Sequence, residues 1–278
     1  MPVKYLNIPI RSDKLSQVVF VKSRLFHQRT RYQTIEIFDT EVFGKILTLD
    51  GHIQLTEFDE FAYHEALVQI PLLSLKDPKR ALVVGGGDGG VIRELCKLPD
   101  IEHIDLVEID KGVIDACRKH MPGISGGAFD DPRVHVHIAD AFAFVKEKRE
   151  PYDLIVADST DIYEDETGAL SEMLFSHEFY GDCKAILSDG GLIVTQADNL
   201  VYCPYSMANI LATLRSVFPV TGRYHAVVPS FGGFSGFCWA SKGAHVAGSW
   251  EELRANRVPL KYLTKELFEY GMKPLPFA

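Results

Sequence analysis

The stretch Ala81-Leu-Val-Val-Gly85-Gly-Gly-Asp88-Gly-Gly90 joins a short apolar run to a glycine-rich turn, and a helix-like segment follows it. About 20 residues after the turn, a second apolar run ends in Glu108. A buried strand, a glycine turn, a helix and a second strand ending in an acid are the parts of a nucleoside site. The glycines are not followed by the lysine of a phosphate-binding loop. The negative charge of Asp88 would repel a pyrophosphate, although a dinucleotide-binding enzyme remains an alternative. We therefore predict a ligand that brings positive charge to this turn.

Short apolar strands alternate with helices on both sides of this motif. Strands are predicted at 81–84, 104–109, 134–138, 153–157 and 191–196, and helices at 89–97, 111–119, 140–147 and near 177–187. The alternation predicts an α/β fold, a Rossmann-like, methyltransferase-type sheet that is mostly parallel and has helices on both faces. Ligands of such sheets bind at the carboxyl ends of the strands. We expect one crevice there, formed by Gly85–Gly90, Glu108–Asp110, Asp140 and Asp158–Asp161.

The first sixty residues follow a different pattern. Alternating stretches begin at Gln17, Gln33 and Lys45, and an Asp50-Gly51 turn predicts a hairpin. We predict a small antiparallel β module over residues 1–57, followed by a catalytic domain over residues 58–278.

A helix is expected from Asp59 to near Pro71. We interpret Asp59 and Glu60 as helix caps, which leaves the adjacent Tyr63 and His64 unexplained. The glycine-rich stretch 229–237 is expected to be a hairpin or a loop near the crevice.

Composition narrows the class of protein. The 278 residues carry 29 basic and 38 acidic side chains, a net charge of −9, so we expect no nucleic-acid partner. No apolar run could span a bilayer and no N-terminal signal is evident, which predicts a cytoplasmic protein with no membrane partner. The five scattered cysteines are expected to be reduced. His135 and His137 share one face of a strand and are expected to be structural, because no further ligands stand at metal spacing.

Two sets of acids are candidates for chemistry. Glu108 can accept hydrogen bonds from both hydroxyls of a ribose, or it caps the helix that starts at Lys111. Asp158 and Asp161 follow a strand and can serve as a base and a cation anchor, or as a helix cap. Among nucleosides without phosphate, the sulfonium compound S-adenosylmethionine is the first candidate ligand. Asp88 favours its derivative without the carboxylate.

These residues belong to motifs that resemble the spermidine synthases, the polyamine aminopropyltransferase family. The resemblance runs over nearly the whole chain and fades after about residue 201. Its motifs, in chain order, are Tyr32-Gln33-Thr-Ile, Phe43-Gly44-Lys45-Ile-Leu-Thr-Leu-Asp50-Gly51-His-Ile-Gln54, Asp59-Glu60-Phe-Ala-Tyr63-His64-Glu65, the glycine turn, Glu108-Ile-Asp110, Phe129-Asp-Asp-Pro-Arg133 and Asp158-Ser-Thr-Asp161.

The resemblance implies a reaction and its site. Decarboxylated S-adenosylmethionine would be a co-substrate, with no tightly bound cofactor and no metal, and the aminopropyl group would pass to an amine, putrescine first, releasing methylthioadenosine. The donor site would comprise Gln33, Gln54, His64, Gly85, Gly86, Gly87, Asp88, Glu108, Ile109, Asp140 and Ala141. Asp158, assisted by Tyr63, would be catalytic, and the acceptor site would comprise Tyr63, Asp158, Asp161, Gln196 and Phe231. The family also implies a homodimer or homotetramer.

The departures from the family pattern concern the acceptor. Phe231 stands where the family has tyrosine, and an acidic stretch, Glu164-Asp165-Glu166, follows Asp161. These acids would favour a longer or more cationic acceptor such as agmatine or spermidine, and cadaverine is a further candidate. Alternatively, they form a solvated surface loop with no role in acceptor choice. A methyltransferase on the same scaffold and a noncatalytic binding protein are the remaining alternatives.

Overall fold

The structure, a computed structural model, describes residues 4–11, 14–147, 150–159 and 173–276. Two sheets dominate it. The first consists of neighbouring antiparallel strands in chain order: β1 (Tyr5–Arg11), β2 (Leu15–Arg29), β3 (Thr34–Thr40), β4 (Lys45–Leu49) and β5 (His52–Thr56). Asp50 and Gly51 both have positive φ, 48° and 85°, and join β4 to β5, which confirms the predicted hairpin. The sequence analysis did not identify β1, and β2 is longer than its predicted stretch.

The second sheet has the order β11-β12-β10-β9-β6-β7-β8. Its strands are β6 (Arg80–Gly85), β7 (His103–Glu108), β8 (Val134–Ile138), β9 (Tyr152–Asp158), β10 (Leu187–Gln196), β11 (Val220–Val228) and β12 (Gly233–Ser241). Pairs from β8 to β10 are parallel, whereas β12 pairs antiparallel with β10 and β11. The predicted fold class, a Rossmann-like sheet that is mostly parallel, is confirmed. The glycine-rich stretch 229–237 closes the β11–β12 hairpin through a 3₁₀ turn, Pro229–Phe231.

The helices cover both faces of this sheet. They are α1 (Glu60–Ser74), α2 (Gly90–Cys96), α3 (Lys111–His120), α4 (Pro122–Ser125), α5 (Ala141–Phe144), α6 (His177–Ile186), α7 (Pro204–Val217) and α8 (Lys265–Gly271). Alternate residues of β6 enter two cores: Ala81 and Val83 join one, Leu82 and Val84 the other. This two-faced burial is the reason for the uninterrupted apolar run of β6. In the described part of the chain, no helix is long and apolar enough to cross a membrane.

Two predicted helix ends are wrong. Helix α1 does not end near Pro71 but contains it and continues to Ser74. A proline inside a helix loses one backbone hydrogen bond, but α1 is buried on nearly every side, and that packing outweighs the loss. Helix α5 ends at Phe144 rather than at residue 147, because Lys146 and Glu147 are exposed and add nothing to the apolar face.

The chain order reverses between β6 and β9. Strand β6 lies between β7, which follows it directly, and β9, which follows much later. In such sheets the crevice at the carboxyl ends of the two strands is the usual ligand site. The register places Gly85 of β6 beside Asp158 of β9 at this point. The fold therefore brings the glycine turn and the predicted catalytic acid to one edge.

Candidate active site

A cavity of about 480 Å³ opens at this edge, a size typical of small-molecule sites. It brings together every described residue that the resemblance assigned to the donor and acceptor sites, whereas Gly89, Gly90 and Asp110, also expected at the crevice, do not line it. The residues brought together are Gln33, Gln54, Tyr63, His64, Gly85, Gly86, Gly87, Asp88, Glu108, Ile109, Asp140, Ala141, Asp158, Gln196 and Phe231. Asp161 and the acidic stretch 164–166 lie outside the described residues.

The glycine turn packs directly against Asp158. Gly85 and Gly86 have positive φ, 79° and 70°, and the N–H of Gly86 donates to the carbonyl oxygen of Asp158 at 3.1 Å. A Cβ atom at Gly85 would lie 2.2 Å from that carbonyl oxygen, and one at Gly90 would lie 2.3 Å from His64 Cε1. Gly85 is therefore required for both conformation and space, whereas Gly90, whose φ is not positive, is required for space alone.

A chain of charged groups runs from the surface of α2 to the turn. Arg93 donates to both carboxylate oxygens of Glu60, at 3.0 and 2.9 Å. Glu60 Oε2 lies 2.7 Å from His64 Nδ1, and His64 Nε2 lies 3.3 Å from Asp88 Oδ1. Burial alone would lower the pKa of His64, but Asp88 and Glu60 outweigh it and raise the pKa to about 10. His64 is therefore an imidazolium at neutral pH.

This chain changes the interpretation of two predicted residues. Glu60 contacts His64 and Arg93 rather than serving only as a cap. Asp59 occupies the N-cap position of α1, and its carbonyl accepts the N–H of Ala62 at 3.0 Å. Its side chain makes no capping hydrogen bond, so side-chain capping does not explain this residue; the carboxylate binds Thr56 and Ser230 instead. Asp88 is also partly engaged, since its Oδ1 accepts the N–H of Gly90 at 2.7 Å.

Asp158 has the environment of a base. The hydroxyl of Tyr63 donates to Asp158 Oδ1 at 2.6 Å. Burial and the nearby charge of Asp88 raise the pKa of Asp158 to about 6, against the lowering effects of His64 and Tyr63. At neutral pH most of this carboxyl is ionised, and its proton affinity is higher than that of an ordinary aspartate.

Glu108 and Gln33 each form a hydrogen bond with Asp110. Glu108 Oε1 accepts the N–H of Asp110 at 2.8 Å, and burial raises the pKa of Glu108 to about 7. The cap of α3 is Asp110, which accepts the N–H of Gly112 at 3.0 Å, so the alternative role of Glu108 as that cap does not hold. Gln33 directly precedes β3 of the N-terminal sheet and donates to Asp110 Oδ2 at 3.1 Å. The cavity is thus lined from both sheets.

The opposite wall contains Phe231 and Gln196. The ring of Phe231 stands edge-on to Tyr63, with 5.5 Å between centroids. The Gln196 amide donates to Ser159 O at 2.9 Å and accepts the N–H of Asp198 at 2.9 Å. Gln196 therefore ties the end of β10 to the end of β9.

Asp198 is a lining residue that the sequence analysis missed. Burial raises the pKa of its carboxyl to about 6, and its φ of 60° is uncommon for a residue other than glycine. It follows the carboxyl end of β10, so the rule that located Asp140 and Asp158 also applied to it. Pro9 and Ile10 of β1 line the same region and were not expected either.

Among the described residues, one group has histidine and carboxylate atoms close enough to hold an ion: His64, Asp88 and Asp158. A protonated His64 has no lone pair to offer a metal, whereas the carboxylates of Asp88 and Asp158 can accept hydrogen bonds from a cationic organic ligand. His137 lies away from this group, and its Nε2 is 2.7 Å from Asp105 Oδ1.

The fold and the acid-lined cavity together define a protein with a Rossmann-like sheet and a small-molecule cavity at the carboxyl ends of its strands. Residues 60–248 match the family model of the spermine/spermidine synthase domain, and residues 9–57 match that of the spermidine synthase tetramerisation domain. The chain therefore belongs to the spermine/spermidine synthase family and is an aminopropyltransferase.

Individual relatives agree with this assignment. The chain is 38% identical over 255 residues to a polyamine aminopropyltransferase of Alkaliphilus metalliredigens, covering 89% of this chain and 87% of that one. It is 36% identical to the polyamine aminopropyltransferase of Hamiltonella defensa, with 94% and 86% covered. A spermidine synthase in complex with the transition-state analogue AdoDATO superposes with a TM-score of 0.91 at 29% identity, covering 100% of this chain and 94% of that one. The spermidine synthase of Thermotoga maritima gives 0.88 at 27% identity, with the same coverage.

Proposed function

We propose that this enzyme transfers the aminopropyl group of decarboxylated S-adenosylmethionine to putrescine, forming spermidine and methylthioadenosine. The observation that carries the choice of acceptor is the pair of partly buried carboxyl groups, Asp158 and Asp198, on one cavity whose wall also includes the apolar side chains of Ile10 and Phe231. A short diamine has a positive charge at each end and methylenes between them. It therefore suits a cavity lined by two acids and an apolar wall.

The proposed reaction is a single displacement. An aliphatic ammonium has a pKa near ~10.4, so the acceptor arrives protonated and must lose a proton to become a nucleophile. Asp158 accepts that proton, and Tyr63 holds the carboxylate in place through its 2.6 Å hydrogen bond. The nitrogen forms a bond to the methylene beside the sulfonium while the carbon–sulfur bond breaks. The electron pair stays on sulfur, and neutral methylthioadenosine leaves.

We propose the following roles around the donor. Glu108 accepts hydrogen bonds from the ribose hydroxyls, and Asp140 meets the adenine amino group with Ile109 and Ala141 beside it. Asp88, His64 and Gln33 hold the aminopropyl arm and ribose, against the backbone of Gly85, Gly86 and Gly87. Gln54 and Gln196 complete the walls, and Phe231 and Asp161 contact the acceptor.

We also propose a division of the chain into a β module, residues 1–57, and a catalytic domain, residues 58–278. The match of residues 9–57 to a tetramerisation domain supports an oligomer, which we propose to be a homodimer or homotetramer. We place the enzyme in the cytoplasm.

The test is a panel of acceptors. Initial rates with decarboxylated donor are compared for putrescine, cadaverine, agmatine and spermidine, and products are identified by mass spectrometry. We expect putrescine to have the highest kcat/KM, and Asp198→Asn to lower kcat/KM for putrescine more than for a monoamine of equal length. The proposal would be contradicted if the enzyme preferred agmatine or spermidine and lost this preference when Glu164, Asp165 and Glu166 are neutralised. That result would show that the acidic stretch determines acceptor selectivity.

A further inference from the structure

Asp59 is a buried carboxylate whose hydrogen bonds leave its own helix. It is 3% exposed and stands directly before α1. Its Oδ1 accepts the hydroxyls of Thr56, at 2.6 Å, and of Ser230, at 2.8 Å. Its Oδ2 accepts the backbone N–H of Ser230 at 2.7 Å. Thr56 and Ser230 are themselves fully buried. The start of α1 is thus bonded at two points to a residue 171 positions later.

The residue that Asp59 binds belongs to the turn that carries Phe231. Two further bonds hold this turn: Gln17 of β2 donates to Ser230 O at 2.5 Å, and Asn199 donates to Phe231 O at 2.6 Å. The ring of Phe231 in turn packs edge-on to Tyr63, whose hydroxyl donates to Asp158. The distance from Phe231 to Tyr63 therefore depends on how the turn sits relative to α1.

We propose that Asp59 and Ser230 form a clamp that sets Phe231 against Tyr63 and so positions the acceptor amine at Asp158. Asp59 is in this account a positioning residue, because it acts through Ser230 rather than touching the substrate. The inference rests on the proposed function, since it assigns the Tyr63–Phe231 region to the acceptor.

The chemistry of the clamp suits this task. A carboxylate forms shorter and stronger hydrogen bonds than a neutral acceptor, so it fixes the turn more tightly. Bonds to both the hydroxyl and the N–H of Ser230 fix its orientation as well as its distance. A displacement of the turn would move the wall beside the reacting nitrogen, and small errors in position lower the rate of a displacement strongly.

The test separates positioning from simple destabilisation. Asp59→Asn keeps the size of the side chain and removes the charge, Ser230→Ala removes one of the bonds, and Ser230→Thr retains the hydroxyl. Ser74→Ala is the matched control, because Ser74 lies at the other end of α1 and links it to the backbone of Ile70 and Ala247 with bonds of 2.7 and 2.8 Å. For each variant we would measure the acceptor KM and kcat, the Kd of methylthioadenosine and the Tm.

We expect Asp59→Asn and Ser230→Ala to raise the acceptor KM about tenfold, equivalent to ~1.4 kcal/mol, with methylthioadenosine affinity unchanged within about twofold. Ser230→Thr should restore the wild-type KM, and Ser74→Ala should lower the Tm without changing KM. The clamp is refuted if acceptor KM is unchanged in Asp59→Asn, or if it rises only in proportion to the loss of methylthioadenosine binding. The acceptor KM is measured with the amine that the wild-type enzyme uses best. If the wild type prefers an amine other than putrescine, the proposed function is refuted, but the clamp can still be tested with that amine.

Discussion

At the scale of single residues, burial is the cause of the unusual acids in the cavity. It raises the pKa of Asp158 and Asp198 to about 6 and that of Glu108 to about 7. The pKa of His64 is also raised, but for a different reason: the charges of Asp88 and Glu60 outweigh burial, which alone would lower it. The site therefore combines one fixed cation with several acids that titrate close to neutral pH.

The pH dependence of the rate should show the titration of Asp158. At saturating donor, kcat/KM for the acceptor should fall as the pH drops below about 6, the pKa of Asp158 without ligand, because a protonated Asp158 cannot accept a proton. A bound cationic donor moves this midpoint downward. Asp158→Asn should lower kcat by ~10²–10⁴ and remove this acid limb. An acid limb that is identical in the variant and the wild type would exclude Asp158 as the base.

The types of the donor-side residues could be predicted from sequence, but their partners could not. Gly85, Asp88 and Glu108 stand in a short motif whose local spacing indicates a nucleoside site. The pairing of Asp59 with Ser230 joins residues 171 positions apart, and no local pattern reports such a contact. Asp198 could have been predicted as a site residue, because it follows the end of a strand. It was missed because the stretch Gln196-Ala-Asp198-Asn199 contains no glycine to mark a ligand-binding turn.

At the scale of elements, backbone conformation decides where glycine matters. Gly51 closes the β4–β5 hairpin with a φ of 85°, and no atom would lie within 4 Å of an added Cβ. Gly181 lies inside α6, where an added Cβ also meets nothing within 4 Å and the φ is not positive. Gly51 and Gly181 therefore both have room for a Cβ atom and differ in backbone conformation.

Alanine at these two glycines should therefore change stability in opposite directions. Gly51→Ala should lower the free energy of unfolding by ~1 kcal/mol, because alanine in the left-handed region is strained. Gly181→Ala should raise it by up to ~1 kcal/mol through better helix propensity. Urea denaturation of both variants measures the difference, and a shift of the same sign in both would show that the hairpin conformation is not the cause.

The positions of strands β6, β7 and β9 were more predictable than the ends of helices. Their apolar runs are short, buried on both faces and bounded by turns, so the pattern locates them closely. Pro71 misled the prediction of α1, because the local cost of a proline is visible in the sequence and the burial that outweighs it is not.

At the scale of the whole molecule, the N-terminal sheet contributes to the cavity through Ile10 of β1 and through Gln33, which lies between β2 and β3. Elsewhere on the hairpin of β1 and β2, apolar side chains are exposed, with Tyr5 62%, Val18 65% and Phe20 47% accessible. Exposed apolar groups clustered in this way are typical of a subunit interface.

We expect these side chains to lie in contacts between subunits. Light scattering coupled to size-exclusion chromatography should give the mass of a dimer or tetramer for the wild type and a smaller mass for a Val18→Glu, Phe20→Glu double variant. Val136→Glu is the control, since Val136 is 39% exposed on β8 of the other sheet. An unchanged mass in the double variant would place the interface elsewhere.

The central claim is that the cavity selects a cationic nucleoside without a carboxylate, and donor discrimination tests it most directly. Calorimetry would compare the binding of decarboxylated S-adenosylmethionine with that of S-adenosylmethionine itself. Because the extra carboxylate would approach Asp88 and Asp158, we expect it to weaken binding by ~100-fold or more, equivalent to ~2.7 kcal/mol. Equal or tighter binding of S-adenosylmethionine, together with methyl transfer, would contradict the account and favour the methyltransferase alternative.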